Sequence, residues 1–285
     1  MTKAPSSLVL GLMIVALASI AAQQAPPVFQ LALADRAGTI VPLGTLPPGT
    51  FAPRLSPDGR QIAFDTFDGT IWIADRTDLA TPRRFGAGRF PMWSADGRRL
   101  VFAGPDGMRL FWQAVDGGGP PELLTDTARA PESWSTAAQL VTYLTLKDAT
   151  DYDIWAFSPV DRQTHALVSA PSSAEMGSQF SPDGRWLAYQ ANDSGSFEVY
   201  VEPFPRTGTR TRISSAGGQR PVWSPDGREI FYDQDGTLYA ASFRAGPAVD
   251  VGRPTALPIE GFVQATGRRL WDLTPDGTQF LVMFP

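Results

Sequence analysis

The sequence predicts an all-β fold, a six-bladed β-propeller of four-stranded antiparallel blades. The first observation behind this is a recurring turn. Phe180-Ser181-Pro182-Asp183-Gly184-Arg185 returns as Ser56-Pro57-Asp58-Gly59-Arg60, Ser94-Ala95-Asp96-Gly97-Arg98, Ser224-Pro225-Asp226-Gly227-Arg228 and Thr274-Pro275-Asp276-Gly277-Thr278. Pro presets φ at the first central position, Asp bonds back to nearby backbone, and Gly accepts the positive φ that closes a tight reversal. The second is spacing. With a worn copy at Ser135-Thr136-Ala137-Ala138-Gln139, successive turns lie 38, 41, 46, 43 and 50 residues apart. A period of roughly 40–45 residues is that of a propeller blade. The third is a pair of apolar columns. Leu55, Trp93, Trp134, Phe180, Trp223 and Leu273 precede the turns, and Ile62, Leu100, Leu140, Leu187, Ile230 and Phe280 follow them. The repeat is therefore a packing unit even where its turn has decayed.

Met1 to Ala22 comes first. Lys3 is followed by an uncharged apolar run from Leu8 to Ile20 and then by small residues, with Ser19-Ile20-Ala21 as a cleavage context. This pattern predicts a signal peptide over residues 1–21 and a periplasmic or secreted protein. Left uncleaved it would be an anchor, although the run is shorter than the roughly 20 residues of a membrane span. Residues 22–27 read as a linker and 28–285 as the propeller.

Val28 to Leu33 alternates as a strand, turns at Arg36-Ala37-Gly38, and continues as Thr39 to Leu43. These strands precede the first Pro-Asp-Gly turn, so they have no inner strands of their own. The chain ends with the complementary half, Leu270 to Leu273 and Gln279 to Met283. Joining the two gives a shared sixth blade and pairs otherwise open edges. Within the blades, Asp68-Gly69 and Asp235-Gly236 predict two-residue hairpin turns. Phe111-Trp112, Ile154-Trp155 and Val199-Tyr200 predict third strands that fill the wedge between neighbouring blades.

Composition limits function. The 285-residue chain is 43% hydrophobic, with 27 Gly and 26 Pro, so it is turn-rich yet too apolar for disorder. It has no Cys, which excludes disulfides, thiolate chemistry and Cys-based zinc sites. Its formal charge of −5, without a basic block, makes nucleic acid and anionic membranes poor partners. A monomer is expected. His165, the only histidine, falls in the outer strand of the third blade, which reads as exposed. Asp148, Asp151 and Asp153 form an acidic loop, read as a solvated hairpin in preference to a calcium site. The recurring Asp58, Asp96, Asp183, Asp226 and Asp276 read as turn formers, because an active site is needed only once. No catalytic residue, metal ligand or cofactor is assigned.

The Trp/Phe-Ser-Pro-Asp-Gly-Arg motif followed by an apolar strand resembles the TolB-like propeller repeats. It is also similar to repeats in the propeller domains of prolyl-oligopeptidase-type peptidases. The stretch from Asn192 to Pro205, with Ser215-Ala216-Gly217-Gly218 and Pro221-Val222-Trp223, resembles the propellers that follow the kinase in some bacterial receptor kinases. The resemblance covers roughly residues 28–285 and implies a propeller, but it is weak on function. About 27 residues precede the first strand here, where TolB carries a separate domain, so that domain's role is not implied. No kinase loop and no Gly-x-Ser-x-Gly elbow is present. The expected function is a binding or scaffolding module for an envelope protein or small ligand, not an enzyme. The alternatives are a metal-dependent lactonase or glycan-cleaving propeller, and a sensor propeller severed from a receptor kinase. The hydrolase needs three or more acidic side chains converging at one point in the tunnel.

In a propeller the Pro-Asp-Gly turns share one face. The loops entering the inner strands share the other face and vary from blade to blade. Variable polar loops on a rigid frame predict the recognition surface. Arg89, Arg220 and Arg269 are expected to offer guanidinium forks to carboxylate or phosphate at the tunnel mouth, with Glu132 and Glu175 opposing them. Replacing Arg89 and Arg220 by Ala is expected to weaken binding about tenfold, or about 1.4 kcal/mol, with stability nearly unchanged.

Overall fold

The computed structural model describes residues 25–146, 151–246, 249–264 and 267–285. The leader and Asp148 lie outside the described residues. Among the described residues every regular element is a strand, and the strands form six antiparallel sheets in a six-bladed propeller. From tunnel to rim, blade I is Thr50–Leu55, Gln61–Thr66, Thr70–Asp75 and Asp78–Ala87. Blade II is Arg89–Trp93, Arg99–Ala103, Leu110–Ala114 and Glu122–Thr125. Blade III is Ala130–Ser135, Leu140–Leu146, Tyr152–Phe157 and Thr164–Val168. Blade IV is Glu175–Phe180, Trp186–Ala191, Glu198–Pro203 and Thr211–Arg212. Blade V is Gln219–Trp223, Glu229–Gln234 and Thr237–Arg244, with Asp250–Val251 and Thr255–Ala256 both on its third strand.

Blade VI is shared, as the sequence predicts. Asp272–Leu273 and Gln279–Phe284 from the C-terminal end pair onward to Gln30–Asp35 and Ile40–Thr45. The seam is in register along its length, with Leu33 opposite Leu281. The two N-terminal strands start slightly later in the chain than the alternation at Val28 and Thr39 suggests.

The five Ser/Thr-x-Asp-Gly turns are alike. In the first, the Ser56 hydroxyl donates to Asp58 Oδ1 at 2.6 Å, the Arg60 amide donates to the same oxygen at 3.0 Å, and the Gln61 amide donates to Ser56 Oγ at 2.9 Å. The hydroxyl two residues earlier holds the carboxyls of Asp58, Asp96, Asp226 and Asp276 below the usual range. Each of these acids serves its turn. The turns also touch one another around the ring. A Cβ on Gly59 would meet Pro275, one on Gly97 would meet Pro57, one on Gly227 would meet Pro182, and one on Gly277 would lie 2.7 Å from Pro225 Cδ. Gly184 meets Ala137 of the worn turn in the same way.

Two details differ from the sequence reading. The register pairs Trp134 with Val141, as it pairs Leu55 with Ile62, so Val141 and not Leu140 holds the apolar column in blade III. In that worn turn Gln139 takes the positive φ. The Asp68-Gly69 hairpin is not a two-residue turn. It repeats the four-residue form, with Thr66 Oγ1 donating to Asp68 Oδ1 and the Gly69 amide to the Thr66 carbonyl. Phe67 therefore sits where proline stands in four of the other five turns. Asp235-Gly236, with both residues at positive φ, is the predicted type.

Burial lies between blades. One apolar cluster occupies each interface, for example Val101, Leu110, Trp112, Val141, Tyr143 and Phe157 between blades II and III. The same arrangement joins VI to I through Leu31, Leu33, Ile62, Phe64, Leu281 and Met283. At roughly 1.5–3 kcal/mol per large side chain, these wedges hold the ring together.

The inner strands carry a repeated bulge that the sequence does not announce. Their pairing slips between Phe51 and Arg54, Arg89 and Met92, Met176 and Gln179, and Gln219 and Val222. At each slip one residue is left-handed: Ala52 (φ 46), Phe90 (φ 57), Gly177 (φ 70) and Arg220 (φ 56). A bulge re-aims side chains and frees an amide. Two of these amides reach the preceding blade, Gly177 N–H to Glu132 Oε1 at 2.5 Å and Arg220 N–H to Gln190 Oε1 at 2.6 Å.

Candidate functional site

The inner strands of all six blades line a central cavity of about 670 Å³. Toward the turn face its wall includes Pro57, Ala95, Pro182, Pro225 and Pro275, and above them the apolar column side chains such as Trp93, Trp134 and Phe180. Toward the other mouth the wall is charged, and the bulges decide which side chains reach it.

Of the five predicted residues, Glu132, Arg220 and Arg269 line this cavity. Arg220 is held by Asp233, with Nε donating to Oδ2 at 2.8 Å and Oδ1 at 3.1 Å, and Nη2 donating to Oδ1 as well. Asp233 is fully buried and also accepts from Trp271 Nε1 at 2.6 Å, which ties blade V to blade VI. Arg269 pairs with Asp272 at 3.1 Å, and Asp272 Oδ2 accepts the Leu55 amide of blade I at 2.9 Å. Glu132 accepts the Gly177 and Ser178 amides and the Ser178 hydroxyl of blade IV. Burial raises its carboxyl above the usual range.

The remaining two lie off the cavity wall. Arg89 stands beside the mouth with Nε 3.7 Å from Asp65 Oδ2. Asp65 is fully buried, and burial pushes its carboxyl up to about 6 against the opposing charges of Arg89, Arg268 and Arg54. Glu175 is buried under its own loop, accepting the Ser173 hydroxyl and the Ala170 amide, the latter at 3.1 Å. It does not face the tunnel arginines. Arg220 is likewise a structural ion pair first, so the expectation that its removal leaves stability unchanged does not fit its position.

Two arginines not singled out from the sequence complete the site. Arg54 leaves the inner strand of blade I and donates through Nη1 to the carbonyls of Pro53 at 2.7 Å and Arg269 at 3.1 Å. Burial lowers its guanidinium to about 9, helped by the neighbouring charge of Arg269. Arg268 belongs to the loop entering blade VI, yet its guanidinium lies over the ring of Phe90 in blade II, 3.6 Å from the centroid. It therefore reaches over blade I. Burial lowers its pKa also, with Glu132 and Asp65 the nearest opposing charges. Among the described residues neither Arg54 nor Arg268 joins the ion pairs that hold Arg89, Arg220 and Arg269. The signal for Arg54 was its position one before the apolar column, where a strand faces the tunnel.

His165 is exposed on the outer strand of blade III. Asp153 is buried and accepts the Ser169 hydroxyl at 3.0 Å, so it is part of the hairpin's packing, while Asp151 is half-buried. Among the described residues no group of three or more His, Cys, Asp or Glu side chains is placed to hold a metal ion. The tunnel acids sit on different blades, and Glu132, Asp233 and Asp272 are each committed to hydrogen bonds.

No family model matches the chain. The uncharacterized protein Atu1656 of Agrobacterium fabrum is 24% identical over 199 residues, covering 65% of this chain and 66% of that protein's length. Among solved structures, a candidate TolB from Agrobacterium tumefaciens aligns with a TM-score of 0.68 at 17% identity, over 92% of this chain and 99% of that one. TolB from Acinetobacter baumannii aligns at 0.53 and 17% identity, over 99% of this chain and 71% of that one. An oligogalacturonate lyase in complex with manganese aligns at 0.57 and 14% identity, over 86% and 80%. At these identities the likeness is one of fold, a TolB-like propeller.

Proposed function

We propose that this chain is an exported binding module whose tunnel mouth receives an anionic group of its ligand. The observation that carries the reading is the pair Arg54 and Arg268. Both face a 670 Å³ cavity, burial depresses both guanidinium pKa values, and neither has an acidic ion-pair partner among the described residues. The acids nearest to them, Asp65, Asp272 and Glu132, make no direct ion pair with either, and an incoming carboxylate or phosphate supplies one. Two donor forks facing one cavity also hold such an anion more firmly than either alone. The other three arginines at the mouth keep their acids and act as the frame of the site. Export rests on the leader-like residues 1–21. Among the described residues no helix is long and apolar enough to cross a membrane.

The test is thermal denaturation of the purified chain with succinate and with inorganic phosphate, beside Arg268→Gln. A ligand at a hundredfold its Kd adds about 2.7 kcal/mol to stability, a readable rise in Tm. The rise is expected in the wild type and lost in Arg268→Gln. No response to either anion, or the same response in both proteins, defeats the proposal.

A further inference from the structure

We infer that the ligand carries its anionic group on an apolar, aromatic-sized group. This rests on the anionic reading of the mouth and adds to it a second contact surface. Beside the two arginines runs a shelf of three phenylalanines. Phe90 lines the cavity and carries Arg268 on its face. Phe51 stands edge-on to Phe90 with centroids 6.5 Å apart, and Phe67 lies 6.1 Å beyond Phe51. Phe90 and Phe51 are half-buried, and Phe67 at the outer end is 52% exposed.

Phe67 occupies the first central position of a Thr-x-Asp-Gly turn, where proline stands in four of the five repeated turns. Its amide donates to the Gly49 carbonyl at 3.0 Å, which excludes proline here but does not call for an aromatic residue. The ring lies against Gly49 and Phe51 and still leaves half its surface exposed. Phe90 is left-handed at φ 57, a conformation unfavourable for a bulky residue, and the bulge that imposes it turns the ring into the mouth. The row also lies on one side only. The residues at the Phe51 position in the other blades are Arg89, Ala130, Met176, Gln219 and Arg269, none of them aromatic. A ligand is thus offered cations in the tunnel and an apolar ramp leading out over blade I. An anion alone would use the first and ignore the second.

Isothermal titration with acetate, N-acetyl-phenylalanine, N-acetyl-phenylalanine amide and acetyl-Ala-Ala-Phe bearing a free C-terminus separates the possibilities. N-acetyl-phenylalanine is expected to bind at least tenfold more tightly than acetate. Phe67→Ser should reduce that advantage three- to tenfold while leaving acetate binding and Tm unchanged. Arg268→Gln should weaken both. A tripeptide tighter than the single residue identifies a peptide C-terminus as the source, and equal affinity identifies a small aromatic acid; either result supports the shared chemistry. If acetate and N-acetyl-phenylalanine bind alike and Phe67→Ser changes nothing, the shelf is overturned and the anionic site stands. If the amide binds as well as the acid, the anionic reading itself fails.

Discussion

Asp65 is fully buried with Arg89 Nε 3.7 Å from its carboxylate and the Phe90 amide of blade II turned toward it. The arginines around it do not fully compensate for the lost water, so in the folded protein it holds its proton up to about pH 6 instead of 3.8. Folding therefore takes up a proton between those values, and stability falls as pH rises through that window. At 1.36 kcal/mol per pH unit the loss is about 3 kcal/mol. Asp65→Asn should match the wild type near pH 4 and be up to about 3 kcal/mol more stable at pH 7.5 in urea unfolding. A variant less stable than wild type at pH 7.5 would show the carboxylate to be compensated. The same protonation removes a negative charge beside Arg268, so anion affinity at the mouth should increase on acidification from pH 7.5 to pH 5.

Arg220→Ala should behave as a core mutation. It leaves the fully buried Asp233 with Trp271 Nε1 and no cation. Breaking one side of a buried pair costs about 3–5 kcal/mol. The double replacement of Arg220 and Asp233 by Leu and Val should recover much of that loss. Calorimetric melting that finds Arg220→Ala as stable as the wild type would contradict the structural role given to the pair.

Gly277→Ala and Gly195→Ala form a controlled comparison. Both glycines are left-handed, at φ 71 and φ 94, so each substitution bears about 1–2 kcal/mol of backbone cost. Only at Gly277 would the added carbon also lie 2.7 Å from Pro225 Cδ, while Gly195 has open space. Gly277→Ala should be the more destabilising by at least about 1 kcal/mol. Equal losses in chemical denaturation would mean that the turns do not bear on each other.

Export makes a direct prediction about the mature chain. If residues 1–21 are a signal peptide, Edman sequencing of protein recovered from the periplasm or medium should begin near Ala22. Full-length chain found only in the cytosol would remove the localisation.

The fold was legible because its determinants are local and repeated. Ser-Pro-Asp-Gly fixes a turn within four residues, and the columns at Leu55 and Ile62 recur often enough to survive one worn copy. The end-to-end seam was legible for the same reason, since Gln279 to Met283 had a turn and no later strands. The site was harder because it depends on conformations its residues do not prefer. Gly177 hints at the inner-strand bulge, but Ala52, Phe90 and Arg220 carry the same left-handed φ without any compositional sign. Which arginine meets an acid is set by the folded geometry. Arg220 finds Asp233 on the next strand of its own blade, whereas Arg268 reaches past blade I to Phe90. Glu175 shows the converse, a loop acid of the predicted kind whose own serine claims it.

Gly59 against Pro275, Gly97 against Pro57, Gly227 against Pro182 and Gly277 against Pro225 link blades IV, V, VI, I and II into an arc along the turn face. Glycine against proline leaves no rotamer to adjust, so the circumference at that end changes only if several blades move together. The opposite rim is built of long side chains, Arg54 held to the Pro53 and Arg269 carbonyls and Arg268 lying over Phe90. A ligand of the proposed kind would therefore enter past the arginines, with the proline end setting how deep it can reach.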